Sequence, residues 1–245
     1  MKRDYDKESR DHATHKYAYG FDYVMHKFQM RTFQQYAPSG KALEMGCYHG
    51  EFTQLMTEYF DEVTAIEASE ECIKVARERT SRHIRYIHGT FEETTLQERF
   101  GAIFLLHTLE HIDDRVGVLA KAGSWLEDDG LLFVSSPNAN APSRQIAVHM
   151  GLITHNAAIT EGERAHGHTV TYTLDVLQKE AREAGLSIIA RGGIFFKGLA
   201  NFQLDKAIAE GIISPEYLEG CYQLGQVYPD LCSSIYIVCK KGSVK

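Results

Sequence analysis

The segment Leu43-Glu44-Met45-Gly46-Cys47-Tyr48-His49-Gly50 sets two glycines around a short run that follows one apolar stretch and opens a helical pattern. A glycine turn at the end of a strand lets a ligand approach the backbone closely, and open α/β sheets bind ligands at the carboxyl ends of their strands. Seventeen residues beyond Gly50, Glu67 closes the next apolar run. A carboxylate there can accept both hydroxyl protons of a ribose, the part an acid plays about 20 residues after the turn in nucleoside-binding α/β folds. The dinucleotide pattern G-x-G-x-x-G is absent, because Tyr48 stands at its second glycine, and this counts against a nicotinamide cofactor.

Histidine is the other residue type with chemistry to offer, and all 12 histidines precede residue 169. His107 and His111 are spaced i, i+4, which can put two imidazoles on one helical face. No carboxylate or cysteine is placed by sequence to complete a ligand set around them, so no metal site is expected, and His111 is expected to bond backbone beneath the site. His166 and His168, in the run Arg164–Thr169, are candidates for a catalytic or substrate-binding role, since imidazole accepts a proton near neutral pH. Arg31 is either a partner for a ligand carboxylate or a surface arginine.

These residues must be positioned by alternating strands and helices. Phe21, Met25 and Phe28 sketch an amphipathic helix ending before Pro38, and strands are expected at 41–45, 62–66, 84–88, 102–106 and 131–135. Helical patterns separate most of them, with Ser69 as one N-cap and Asp128-Asp129-Gly130 as a turn. Repeated βα units with right-handed crossovers require a parallel sheet covered by helices on both faces. The expected fold is therefore α/β, a doubly wound, mostly parallel seven-stranded sheet. Thr173 caps a further helix over 174–184 that Gly185 ends, and two more strands follow at 186–190 and 233–239. Residues 1–38 read as N-terminal lid helices, with Tyr17 and Tyr19 in a mobile lid, and 39–245 as one domain with insertions near 137–170 and 197–231. The aromatic residues Phe195, Phe196, Phe202, Tyr217, Tyr222 and Tyr228 are expected to roof a pocket or pack inserted helices.

At 245 residues the chain suits one large domain. A net charge of −7, from 26 Lys and Arg against 33 Asp and Glu, offers no basic footprint for a nucleic acid. The charged start and the lack of any long apolar run lead us to expect a cytoplasmic protein that does not bind membranes. Five irregularly spaced cysteines suggest reduced thiols rather than a disulfide framework.

Taken together, Glu44–Gly50, Ile66-Glu67-Ala68-Ser69, Gly89-Thr90-Phe91-Glu92 and Leu109-Glu110-His111-Ile112 resemble the four successive motifs of class I S-adenosylmethionine-dependent methyltransferases. The likeness covers residues 40–136 well and extends more loosely to 239. It implies that Glu44, Gly46, Cys47 and Gly50 hold the methionine and ribose portion of S-adenosylmethionine. Glu67 would take the ribose hydroxyls, Ala68 the edge of the adenine, and Thr90 and Phe91 its faces. His107 would contact the sulfonium end, with Thr108 beside it. The sequence departs from the family at Tyr48, which replaces a glycine, and at Thr90, which replaces a frequent acid.

The reaction implied is methyl transfer to an oxygen, nitrogen or carbon of a small molecule, with His166 or His168 as base if the acceptor is an alcohol. Two other readings stand beside it: a protein that keeps the fold and the cofactor without turnover, and a nicotinamide oxidoreductase. The acceptor and the oligomeric state are not legible.

Overall fold

The computed structural model describes residues 5–6, 20–81 and 83–242, so Tyr17 and Tyr19 lie outside the described residues. In chain order the first half runs α1 (Gly20–Phe33), β1 (Lys41–Met45), α2 (Glu51–Met56), β2 (Glu62–Glu67), α3 (Glu70–Arg79), β3 (Arg85–His88), β4 (Phe100–Leu106) and α4 (Arg115–Ser124). The second runs β5 (Leu126–Pro137), α5 (Pro142–His149), α6 (Glu161–Ala165), α7 (Leu174–Glu183), β6 (Leu186–Phe196), α8 (Asn201–Ala209), α9 (Pro215–Val227) and β7 (Cys232–Lys241). The seven strands form one sheet in the order β3-β2-β1-β4-β5-β7-β6. β1 to β5 are parallel, and β7 is antiparallel to β5 and β6. This is the mostly parallel α/β sheet the alternation requires, and β6, parallel to β5, also ends on its carboxyl edge.

Side chains alternate across the strands and so build two cores. Leu43, Met45, Ile103 and Leu105 enter one with α4 and α7, while Ala42, Ala102, Phe104 and Phe133 enter the other with α1 and α2. Glu44 shares the face of Ala42, which explains why a carboxyl sits among apolar residues. Helix α1, expected within the lid, is a layer of this second core: Phe33 is fully buried, with its ring 5.2 Å from that of Phe133. Local signals act as expected where they are strong. The amide of Cys72 donates to the Ser69 side chain, that of Val176 to Thr173, and Gly185 takes φ 77° after α7.

Two strands are longer than the sequence suggested. β6 was expected to stop at Ala190, yet it runs through Gly192-Gly193 to Phe196. A Cβ on Gly193 would fall 2.0 Å from the carbonyl oxygen of Pro229, so the glycine serves a close approach and not a turn. β5 starts at Leu126: the acidic Asp128-Asp129-Gly130 lies inside it, at an irregularity where Phe100 pairs with Leu126 and Ala102 with Leu131. Among the described residues no helix is long and apolar enough to cross a membrane.

Candidate active site

The carboxyl edge of the sheet opens into a cavity of about 650 Å³. One end is built from β1 and β2. Gly46 turns with φ 86°, and any Cβ there would lie 2.7 Å from the Thr108 side chain, so only glycine lets the first turn nest against the loop after β4. Tyr48 adopts φ 47°, a left-handed conformation that suits the glycine it replaces, and its ring stacks on His49 at 3.7 Å.

Glu67 is fixed by the same turn. Its Oε2 accepts from the amide of Tyr48 and its Oε1 from that of Ser69, both at 3.0 Å, and the carboxylate lines the cavity with no ion-pair partner among the described residues. Burial pushes the Glu67 carboxyl up, and the amides of Ser69, Tyr48, Ala68 and Cys47 restrain that rise. Glu44 is 4% exposed and accepts from the Thr53 hydroxyl; burial raises it to about 8, against the pull of that hydrogen bond. Cys47, Ala68, Phe91 and Thr108 also line the cavity.

Two residues that the resemblance placed on the cofactor stand outside the cavity wall. Gly50 packs against α3 and β3, where an added Cβ would meet Thr80 at 2.8 Å and Ala76 at 3.0 Å. Thr90 turns its hydroxyl to the amide of Glu93 and its carbonyl to Thr94, so it organises a tight turn while Phe91 alone reaches the ligand space. Arg31 pairs with Glu219 at 2.6 Å on the surface. Of the expected aromatic roof only Phe202 lines the cavity: Phe195 and Tyr222 are core, and Tyr217 and Tyr228 are exposed.

At the other end, His107 (φ 49°) directly follows β4, and its Nε2 lies 2.8 Å from Ser234 Oγ of β7. Burial, with smaller contributions from His26, His168 and Lys197, lowers its pKa to about 3, so the imidazole is neutral. His111 does bond backbone: its Nδ1 donates to the carbonyl of His166 at 2.9 Å. The His111 and His168 rings meet edge to face at 4.5 Å. Burial, opposed by Glu163, brings His168 down to about 4, and burial raises Glu110 beside it to about 8.

The i, i+4 pair thus diverges, and a different group forms: Glu110, His111 and His168 bring their ligand atoms within 4.8 Å of one another. A protonated carboxyl beside the neutral His168 imidazole can pass a proton, and the Glu110, His111 and His168 donor set suits a divalent cation. Sequence reading expected no such set, because it needed Glu110 and the long segment before α7 to fold together.

Three comparisons bear on this geometry. A family model described as a methyltransferase domain matches residues 16–191. The chain belongs to that family. Similar proteins include the ubiquinone biosynthesis O-methyltransferase of Xanthomonas campestris pv. campestris (strain B100), 28% identical over 116 residues, 45% of this chain and 48% of that relative. The chain therefore spans about half the length of the first curated relatives it matches. The enzyme of the same name from Idiomarina loihiensis is 26% identical over 171 residues, 68% of this chain and 69% of that relative. Among solved structures, the N-methyltransferase NodS from Bradyrhizobium japonicum WM9 in complex with S-adenosyl-L-homocysteine superimposes with a TM-score of 0.58 at 13% identity, covering 97% of this chain and 96% of that one. A DhpI–SAH complex gives 0.61 at 15% identity, covering 97% and 95%. At such identities the likeness is one of fold.

This methyltransferase domain also has wall residues that sequence reading passed over. Tyr5 lines the cavity, and Asp6 accepts from the Ser69 hydroxyl at 2.7 Å, so residues ahead of α1 do reach the β2 end. His26 and Gln29 of α1 contribute a ring nitrogen and an amide oxygen that are buried with no hydrogen-bond partner among the described residues. Arg144 ties the 137–170 segment into a wall through the carbonyls of Asn156 and Ala158 and the carboxylate of Glu163. Lys197 follows directly on β6. The strand-end rule would have singled it out, had the strand not been ended too early.

Proposed function

We propose that this chain transfers the methyl group of S-adenosylmethionine to a small-molecule acceptor, most simply to an oxygen. The observation that carries the reading is Glu67, a carboxylate held by two backbone amides at the end of β2 and turned into a cavity that the Gly46 turn leaves open. The residues fit an adenosyl sulfonium: Glu67 would take the ribose hydroxyls, Ala68 and Phe91 would border the base, and the Gly46-Cys47 backbone with Glu44 would border the amino-acid part. The names of the relatives support an oxygen acceptor.

When bound, the cofactor supplies an already activated methyl group, so the protein needs no covalent nucleophile. Its task is to align the acceptor and exclude water. His107, neutral and tied to Ser234, would fix the wall where the acceptor meets the methyl end. For an alcohol, His168 would receive the proton as a neutral imidazole, with Glu110 and His111 in reach to move it on. His166, whose carbonyl holds His111, lines the cavity beside it and is the second candidate base.

The test is calorimetric titration with S-adenosylmethionine, S-adenosylhomocysteine and NAD, followed by transfer of a labelled methyl group to phenol and catechol acceptors. Binding of the first two without NAD, and label in a product, is the expected result. NAD binding alone would overturn the reading, and cofactor binding without transfer to any acceptor would favour a protein that binds without turnover.

A further inference from the structure

Lys197 is 9% exposed, lines the cavity, and lacks an ion-pair partner among the described residues. Its Nζ donates to the carbonyl of Leu199 at 3.1 Å and to Asn201 Oδ1, and it lies 5.3 Å from the centre of the Phe21 ring. Both hydrogen-bond acceptors are neutral. The nearest acid that acts on it, Asp22, accepts from Asn201 Nδ2 at 2.6 Å, so Asn201 stands between acid and ammonium. An ammonium has three donors and two are used. Taking such a cation out of water is costly unless a counter-charge meets it, and a protein that holds one in place beside a ligand cavity has prepared a site for an anion.

Its surroundings point the same way. His26, His107 and Ser234 line this part of the cavity and offer neutral polar groups, and the charge of Lys197 is felt at His107. Phe21 and Phe202 add apolar surface. The sheet order separates Lys197 from the adenosyl end: it follows β6, which lies four strand spacings from β1, roughly 19 Å at about 4.8 Å each. A lysine side chain spans only part of that distance.

We propose that the methyl acceptor carries an oxyanion, of the carboxylate kind, and that Lys197 binds it. This rests on the methyltransferase reading above. The acceptor would lie between Lys197 and His107, with its apolar body against Phe21 and Phe202.

The experiment uses the full chain saturated with S-adenosylhomocysteine and a set of aryl carboxylates matched with their carboxamides, measured by calorimetry and thermal shift. In the wild type, carboxylates should bind about tenfold or more tighter than their amides. Lys197→Met should remove that preference and Lys197→Arg should restore part of it, with affinity for S-adenosylhomocysteine changed by no more than about threefold. Equal binding of carboxylates and amides, or binding of neither, overturns the proposal, and this wild-type comparison needs no variant to fold. A loss of about tenfold or more in S-adenosylhomocysteine affinity in Lys197→Met also overturns it, by assigning the ammonium to the cofactor's own carboxylate. If the wild type binds no S-adenosylhomocysteine at all, the methyltransferase reading itself fails, and the proposal with it.

Discussion

The amide of Tyr48 donates to Glu67 Oε2 at 3.0 Å, so the residue that breaks the glycine pattern is also one that holds the cavity-lining carboxylate. The bond uses the backbone, and the left-handed φ of 47° aims it. Removing the carboxylate should therefore cost ligand bonds without unravelling the turn. Glu67→Ala should weaken S-adenosylhomocysteine binding by about 1–3 kcal/mol, measured by calorimetry. Unchanged affinity would remove Glu67 from the site.

The two glycines of the turn should separate in their effects. Gly46→Ala brings a Cβ to 2.7 Å from Thr108 at the cavity wall, and its main consequence should be lost cofactor affinity. Gly50→Ala drives a Cβ into Thr80 and Ala76 away from the cavity, and should lower the melting temperature instead. Each forces a non-glycine into a left-handed backbone, at about 1–2 kcal/mol before the clash is counted.

His168→Ala and His166→Ala should slow transfer to an alcohol while leaving S-adenosylhomocysteine affinity within about twofold. If neither variant is slower with a genuine acceptor, the base lies elsewhere.

Stability should pass through a maximum near neutral pH. Burial holds His26, His107 and His168 down to about 4, 3 and 4, so in acid the unfolded chain takes up protons first and stability falls as pH drops below about 6.5. Burial raises Glu44 and Glu110 to about 8, so between about 4.5 and 8 the folded chain holds protons that the unfolded chain has lost, and stability falls as pH rises. With three groups of the first kind and, counting Glu67, three of the second, melting temperature should stop rising by about pH 6.5 and decline from there to about pH 8. Glu110→Gln should flatten the alkaline side, and a curve of equal steepness in that variant would contradict the assignment.

Arg144→Ala should free the wall between α5 and α6. Its guanidinium holds Asn156 and Ala158 by their carbonyls and Glu163 by its carboxylate, with 13% of the side chain exposed. Loss of these bonds should cost about 1–3 kcal/mol and open residues 150–160 to limited proteolysis. Protection equal to wild type would show that other contacts hold the segment.

Sequence alone determined what depends on neighbours in the chain. Apolar runs and their alternation announced β1 through β4, Ser69 and Thr173 announced their caps, and the glycine turn with Glu67 seventeen residues beyond Gly50 pointed to two strand ends, where Gly46 and Glu67 line the cavity. Those signals are local, because strand pleating, capping and a left-handed glycine each involve only a few consecutive residues. Tertiary structure decided the rest. Gly192-Gly193 became strand interior because Pro229 passes within contact, Gly50 turned to α3, and the Glu110, His111 and His168 group formed from segments more than fifty residues apart. Lys197 reached the cavity only because β7 runs back between β5 and β6. Such juxtapositions follow from packing and sheet order, which no periodicity within a single segment records.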